Sequence, residues 1–336
     1  MNVFLEMDTQ DRLNSIDFVK GFAALSVILL HTLPLKSLFY TGAVYHIWQA
    51  VPLFFFISFF LGFRRLEKND SIKNYYSWVK IKKLFCRLWL PYICLAFLQT
   101  LLFYLKDGEI DFMRLFCIHN GPGSYYIWCY MQIWALLPLL FLLLKHNGLV
   151  IGAVVLFVFS LLGDFIWEFL GLDWPGLCCA RYLFLSVVAY MYLIGIDLRK
   201  IRILIIISII YLAFMVVHEF YNILPVWADP FFPDGWERQT SLGYFYTLFI
   251  FVVLTNLYSK IKDTKIATWF VYCGKRSWEI FIAQMFLLGS GFGSLISSVI
   301  SNYYIQEVLL VLTTGVLSVC FAVLYDRFVL VNIKIS

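Results

Sequence analysis

The sequence predicts an all-α protein: a polytopic membrane bundle of about ten transmembrane helices with both termini in the cytoplasm. Three observations predict it. The first is composition. Of the 336 residues, 62% are hydrophobic and only 14% charged, whereas a soluble domain is about half apolar and a quarter charged. A core of this size cannot hide that excess, so lipid must be the solvent. The second is run length. The apolar stretches are long and unbroken, and one helix needs about 20 such residues to cross the hydrocarbon. Barrel strands would alternate over about ten residues, which leaves helices as the spanning form. The third is charge segregation. With the N-terminus inside, only Lys36, Lys106, Arg114, Arg181 and Arg238 of the 26 lysines and arginines fall outside, as the positive-inside rule requires.

In order, the spans are 15–34, 44–63, 85–105, 125–144, 149–168, 181–197, 203–220, 240–258, 277–296 and 306–326. The inner loops carry Arg64, Arg65, Lys68, Lys73, Lys80, Lys82 and Lys83, then Arg199, Lys200 and Arg202, then Lys260, Lys262, Lys265, Lys275 and Arg276. The segment before the first run is acidic and has no basic n-region, and no small-residue cleavage site follows the run. The first helix is therefore expected to be retained. No linker or low-complexity tract divides the chain, so residues 1–336 read as one integral-membrane domain. The net charge of +5 is a topology signal and does not point to nucleic acid, because no binding motif accompanies the basic residues. The eight cysteines lack metal-ligand spacing, and no bound metal is expected. Cys86, Cys94, Cys129 and Cys320 lie within spans. Cys117, Cys178 and Cys179 lie outside, where one disulfide is open.

The first span carries His31. An ionisable imidazole is costly in hydrocarbon and marks a functional site by default. A helix rises about 1.5 Å per residue, so Lys20 at the inner mouth and His31 lie roughly 16 Å apart along it. Asp17 and Lys20, three residues apart, can pair. Gly21, Ala23, Ala24 and Ser26 form a small face that lets other helices approach. His31 reads either as a hydrogen-bonding glue between helices or as the lining of a cavity, and the charged mouth and small face favour the second.

The third span opens with Arg87, four residues before Pro91, which frees backbone groups and bends a helix. A forked guanidinium at such an entrance suits phosphate oxygens, those of coenzyme A among them. The flanking lysines, Lys83 included, follow from the positive-inside rule. Gly121-Pro122-Gly123 marks a turn into the fourth span, whose Tyr126, Trp128 and deeper Gln132 serve either as an interfacial belt or as sugar-facing groups. His119 and Asn120 read as solvated loop residues. Asp164 and Glu168, one turn apart, are expected to pair with Arg181. In the ninth span, Glu279 either snorkels to the inner interface or orients an imidazole and relays a proton, and Gln284 lies deeper.

Together these segments resemble the acyltransferase-3 family, ten-helix bacterial membrane enzymes that O-acylate surface glycans and related acceptors. Three patterns carry the resemblance: Asp17-Phe-Val-Lys-Gly-Phe-Ala-Ala-Leu-Ser-Val-Ile-Leu-Leu-His31, the stretch from Val51 through Ser58 to Arg65, and Arg87-Leu-Trp-Leu-Pro91. Weaker echoes run from Trp128 to Pro138 and from Gly274 to Gln284. The resemblance implies a place in the bacterial inner membrane and transfer of an acyl group, most often acetyl, from cytoplasmic acetyl-CoA. The donor is a co-substrate, and no cofactor is tightly bound. The acceptor is a hydroxyl of a cell-surface polysaccharide or its lipid-linked precursor. His31 is then a catalytic base or acyl carrier, with Asp17 also catalytic. The resemblance implies donor-side roles for Lys20 and Arg87; Lys83 is expected to join them as a neighbouring lysine, and Tyr126, Trp128 and Gln132 are expected, on their own chemistry, to face the acceptor. The chain departs from the pattern at three places. Lys20 stands where arginine is usual, which keeps the charge but loses the fork. Gln284 stands where a histidine often closes the ninth-span motif, and Phe59 replaces a glycine. The rival reading is a transporter or flippase of a lipid-linked sugar or small solute. Paired broken helices in inverted repeats would favour that reading, and the sequence has none.

Overall fold

A computed structural model of the chain describes residues 9–69, 72–116, 120–169, 178–221, 239–325 and 327. Among these residues the regular elements are all helices, and no strand is present. The principal helices are α1 (Thr9–Thr32), α2 (Ala50–Asn69), α3 (Leu90–Asp107), α4 (Tyr125–His146), α5 (Leu149–Phe169) and α6 (Leu183–Leu193). They continue with α7 (Arg202–Tyr221), α8 (Tyr244–Ile261), α9 (Lys265–Lys275), α10 (Ser277–Gly289), α11 (Phe292–Val299) and α12 (Tyr303–Tyr325).

Each of the ten predicted spans falls on helix. Seven helices are long and apolar enough to cross a membrane, and there are eight if the bent pair α10–α11 counts as one. The other two predicted spans correspond to the shorter apolar segments Leu149–Gly163 and Cys179–Leu193. The ninth span, expected to be continuous, bends by 56° between α10 and α11. Its physical cause is Gly291, which takes φ 81°, a left-handed conformation that a side chain disfavours.

The aromatic face of α2 occupies the centre. Phe55, Phe56, Phe59 and Phe63 have no exposed surface. Phe56 meets Tyr192 of α6 and Phe251 of α8 at ring-centroid distances of 6.1 and 4.9 Å. Phe59, at the position where the family pattern has glycine, stacks at a tilt on Phe63, 6.0 Å away. Of the apolar window in Ala43–Lys68, the stretch that holds most of α2, 72% is buried, against 17% for α12. The first is therefore the hub of the bundle and the second a lipid-facing wall.

Helix α9 has no counterpart among the predicted spans, its residues having been read as part of an inner basic loop. Thr264 caps it, its hydroxyl accepting the Ala267 N–H at 3.2 Å, as N-cap threonines do. It lies against α1 at a crossing without side chains. A Cβ on Gly274 would stand 1.6 Å from the Asp17 carbonyl oxygen, and one on Gly21 would stand 2.0 Å from that of Phe270. Small residues let membrane helices approach in this way. Because the obstacle is backbone on both sides, no rotamer change relieves it. Gly274→Ala should therefore destabilise the protein by about 3 kcal/mol or more, the upper end of overpacking costs, seen as a lowered thermal midpoint in detergent. Gly315→Ala, inside α12 with open space around it, should not lower the midpoint, since alanine is the better helix former.

Candidate functional site

A cavity of about 420 Å³ opens at the basic end of the bundle between α1, α2, α4, α10 and the segment leading into α3. Five cations line it: Lys20, Arg65, Lys80, Lys83 and Arg87. Among the described residues that line it, none is acidic. Its deeper part is apolar and aromatic, with Val27, Val51, Phe54, Tyr126 and Phe281, and with Ser58 as a polar group on the wall. A positive mouth above a low-dielectric interior concentrates anions and strengthens their contacts once inside.

Two prolines build this mouth. Pro91 has no N–H to give the Arg87 carbonyl four residues earlier. The chain widens there into a π-helical turn, Phe85–Trp89, in which the Leu90 N–H reaches back five residues to the Phe85 carbonyl. Such turns re-aim side chains and recur at functional sites, and Arg87 is carried at the middle of this one. The second proline, Pro138, lies inside α4 and deprives the Trp134 carbonyl of its helical donor. Tyr75 donates its hydroxyl to that carbonyl at 3.2 Å and stacks on the Trp134 ring at 5.4 Å. Tyr76 donates to the neighbouring Ala135 carbonyl. The basic loop is thereby latched to α4, with Tyr75 and Trp134 both on the cavity wall.

The predicted site residues divide into those brought together and those kept apart. Lys20, Lys83, Arg87 and Tyr126 share the cavity. Asp17 lies behind Lys20, paired with it at 2.6 Å. It is roughly 21 Å along α1 from His31, so Asp17 holds the cation and does not touch the imidazole. His31 is half-buried one turn beyond Val27, just past the deep end of the cavity rather than on its lining. Its surroundings are fixed by Gly123, which has φ +87°. A Cβ placed there would be 3.0 Å from the Phe281 ring and 3.8 Å from His31 Nε2. Phe281 therefore belongs to both places, forming the end wall of the cavity on one side and standing beside His31 on the other. Tyr126 completes that wall, 5.4 Å from Phe281 and stacked on Phe55 at 4.8 Å.

Trp128 and Gln132 lie elsewhere. Trp128 meets Trp89 edge-on at 5.2 Å, and the Gln132 side chain accepts the Cys179 N–H at 3.0 Å. Glu279, for which snorkelling was one reading, is 5% exposed, and Gln284 is 0% exposed. Asn120, expected in solvent, is 1% exposed. It donates to Gln99 at 3.0 Å, because the turn beside it is pressed onto α10. There a Cβ on Gly121 would lie 2.5 Å from the Met285 carbonyl. Cys178 and Cys179 are free thiols and form no disulfide with each other or with another described cysteine. Cys117, His119 and the side chains of Asp164 and Glu168 lie outside the described residues, and with them the predicted pairing to Arg181.

Sequence reasoning passed over Arg65, Lys80, Tyr75 and Phe281. In the sequence Arg65 and Lys80 stand out individually only as part of the inner basic group. The Tyr75 contact had a usable signal in Pro138, since an interior proline always leaves a carbonyl to be satisfied.

The family model described as an acyltransferase domain matches residues 13–327. No curated protein and no solved structure matches the chain.

Removing the Tyr75 hydroxyl should free the loop. Tyr75→Phe leaves the Trp134 carbonyl unsatisfied, at a cost of about 1–3 kcal/mol, and should speed tryptic cleavage at Lys80, Lys82 and Lys83 severalfold. An unchanged cleavage rate would show that the latch does not hold the loop.

Proposed function

The chain belongs to the acyltransferase-3 family and is a multi-pass membrane acyltransferase, and from that premise we propose that it moves an acetyl group from acetyl-CoA to a hydroxyl of a cell-surface glycan or its lipid-linked precursor. The observation that carries this reading is the cavity mouth, lined among the described residues by five cations and no acid. By the positive-inside rule this mouth faces the cytoplasm, here that of a bacterial cell bounded by its inner membrane. A nucleotide thioester is the anionic metabolite that also needs an apolar slot beyond the charges. The phosphates bind Arg87, Lys83 and Lys20, with the Arg87 fork suited to paired oxygens.

Length supports the same assignment. The pantetheine arm between diphosphate and sulfur runs through about twelve bonds, the reach of about four extended residues, or roughly 14 Å. Lys20 and His31 are separated by roughly 16 Å of helix. Phosphates at the mouth therefore deliver the thioester to the level of His31. On the way the arm displaces the Phe281 ring, which ends the cavity one turn short. The acceptor enters from the opposite side, past the Gly121–Tyr126 turn against which His31 rests. His31 acts as general base, taking the hydroxyl proton as the oxygen attacks the thioester carbonyl and returning it to the departing thiolate.

His31→Ala should lower kcat by about 10²–10⁴-fold, the usual worth of a general base, while titration of acetyl-CoA onto the purified protein still shows binding. Arg87→Ala should raise KM for acetyl-CoA by about tenfold, the loss of one charged hydrogen-bond pair, with kcat nearly intact. Labelled acetyl-CoA supplied to protein in nanodiscs, with surface glycan added, tests the whole reading. An acetylated glycan is expected. Transbilayer movement of a sugar without acetyl transfer would contradict it.

A further inference from the structure

Gln284 has no exposed surface, and neither atom of its side-chain amide, Oε1 or Nε2, has a hydrogen-bond partner. A buried amide left unsatisfied destabilises the resting fold and calls for an explanation. Helix glue is the ordinary reason for a glutamine in a membrane bundle, but glue bonds across to a neighbour, and this side chain does not.

Its placement supplies another reason. Ile280 packs in one buried cluster with Ala24 and Ile28 of α1 and Ala322 of α12. One helical turn away from the basic end, on the same faces, stand His31 after Ile28, Gln284 after Ile280 and Ser318 before Ala322. Helical register thus sets these three residues at one level of the bundle, a polar storey above an apolar floor. Ser318 is also wholly buried, with its hydroxyl unpartnered. Phe281, next to Ile280, reaches the Gly123 position that also faces His31 Nε2. The amide is therefore level with the imidazole and past the Phe281 wall, where the thioester carbonyl arrives under the acyl-transfer reading on which this inference rests.

We propose that Gln284 is a catalytic residue, the donor that stabilises the oxyanion of the transfer reaction. The acceptor oxygen bonds to the thioester carbonyl carbon while its proton passes to His31. The carbonyl oxygen takes up the negative charge and receives the Gln284 Nε2–H. The carbon–sulfur bond then breaks, the carbonyl re-forms, and the thiolate of coenzyme A takes the proton from His31. A fixed donor in a water-poor site contributes most where charge appears only in the transition state. The unsatisfied amide of the resting protein is the cost of holding that donor ready.

The test compares Gln284→Met and Gln284→His with the parent protein in nanodiscs, using acetyl-CoA and the glycan acceptor. Gln284→Met keeps the length and removes the amide. It should lower kcat about 10²-fold and leave KM for acetyl-CoA unchanged, the mark of an interaction made only in the transition state. It should also raise the thermal midpoint, because an orphan polar group has been removed. Gln284→His retains an N–H and should recover part of the rate. Parental kcat in Gln284→Met would overturn the proposal. So would a lowered midpoint with no advantage of histidine over methionine, which would mark Gln284 as packing. A parent that transfers no acetyl group overturns the functional reading itself, whereas a parent that transfers it while Gln284→Met does so equally well overturns only the role of Gln284.

Discussion

Two backbones in contact set the geometry on which the site depends. At the crossing of α1 and α9, Gly21 and Gly274 leave no room for even a methyl group, and the Asp17 carbonyl abuts Gly274. The turn of α1 held there is the turn that pairs Asp17 with Lys20. The crossing thus fixes how deep the cation stands at the mouth, and α1 carries His31 a set distance beyond it. A second glycine contact acts at the far end of α10. Gly121 and Gly289 press the turn before α4 onto that helix and bring Gly123 against His31. The cavity lies between these two pinned points. Close packing makes both distances hard to alter without disrupting the fold.

Missing backbone donors shape the rest. Each of the two prolines removes an N–H, and the protein meets each deficit differently. At Pro91 the helix widens and swings Arg87 toward the cavity. At Pro138 the freed Trp134 carbonyl is taken by the Tyr75 hydroxyl, which brings Lys80 and Lys83 to the mouth. A hydrogen-bond deficit in lipid must be filled from within the protein. The cationic rim is thus a consequence of filling two such deficits as well as of charge placement.

Much of this was legible in the sequence. Apolar run length gives the seven or eight helices long enough to cross, because the bilayer sets one length scale for them, and it places helix at the two shorter segments as well. Charge asymmetry gives the basic rim, and Lys20, Lys83 and Arg87 could be named from their places at helix ends. What remained hidden depended on tertiary contact. Helix α9 is too short and too polar at its ends to read as a span, and its role lies in one glycine against another, which no periodicity reveals. Asn120 has the composition of a solvated turn, yet it is buried because a glycine neighbour lets the turn collapse onto α10. Trp128 and Gln132 face away from Tyr126 because helical positions two and six residues on point to other neighbours. The bend at Gly291 required a backbone conformation, not a composition, to be known.

Under the proposed function the donor's phosphates stay at the rim while its carbonyl arrives between His31 and Gln284. The most direct measurement is a cryo-EM structure of the protein with a non-transferable thioether analogue of acetyl-CoA. The account predicts the phosphates against Lys20, Lys83 and Arg87, the Phe281 ring turned aside, and the analogue's carbonyl within about 3–3.5 Å of groups on His31 and Gln284, a near-attack arrangement. An analogue that ends at Val27 behind an unmoved Phe281, or that binds away from the cationic mouth, would contradict it.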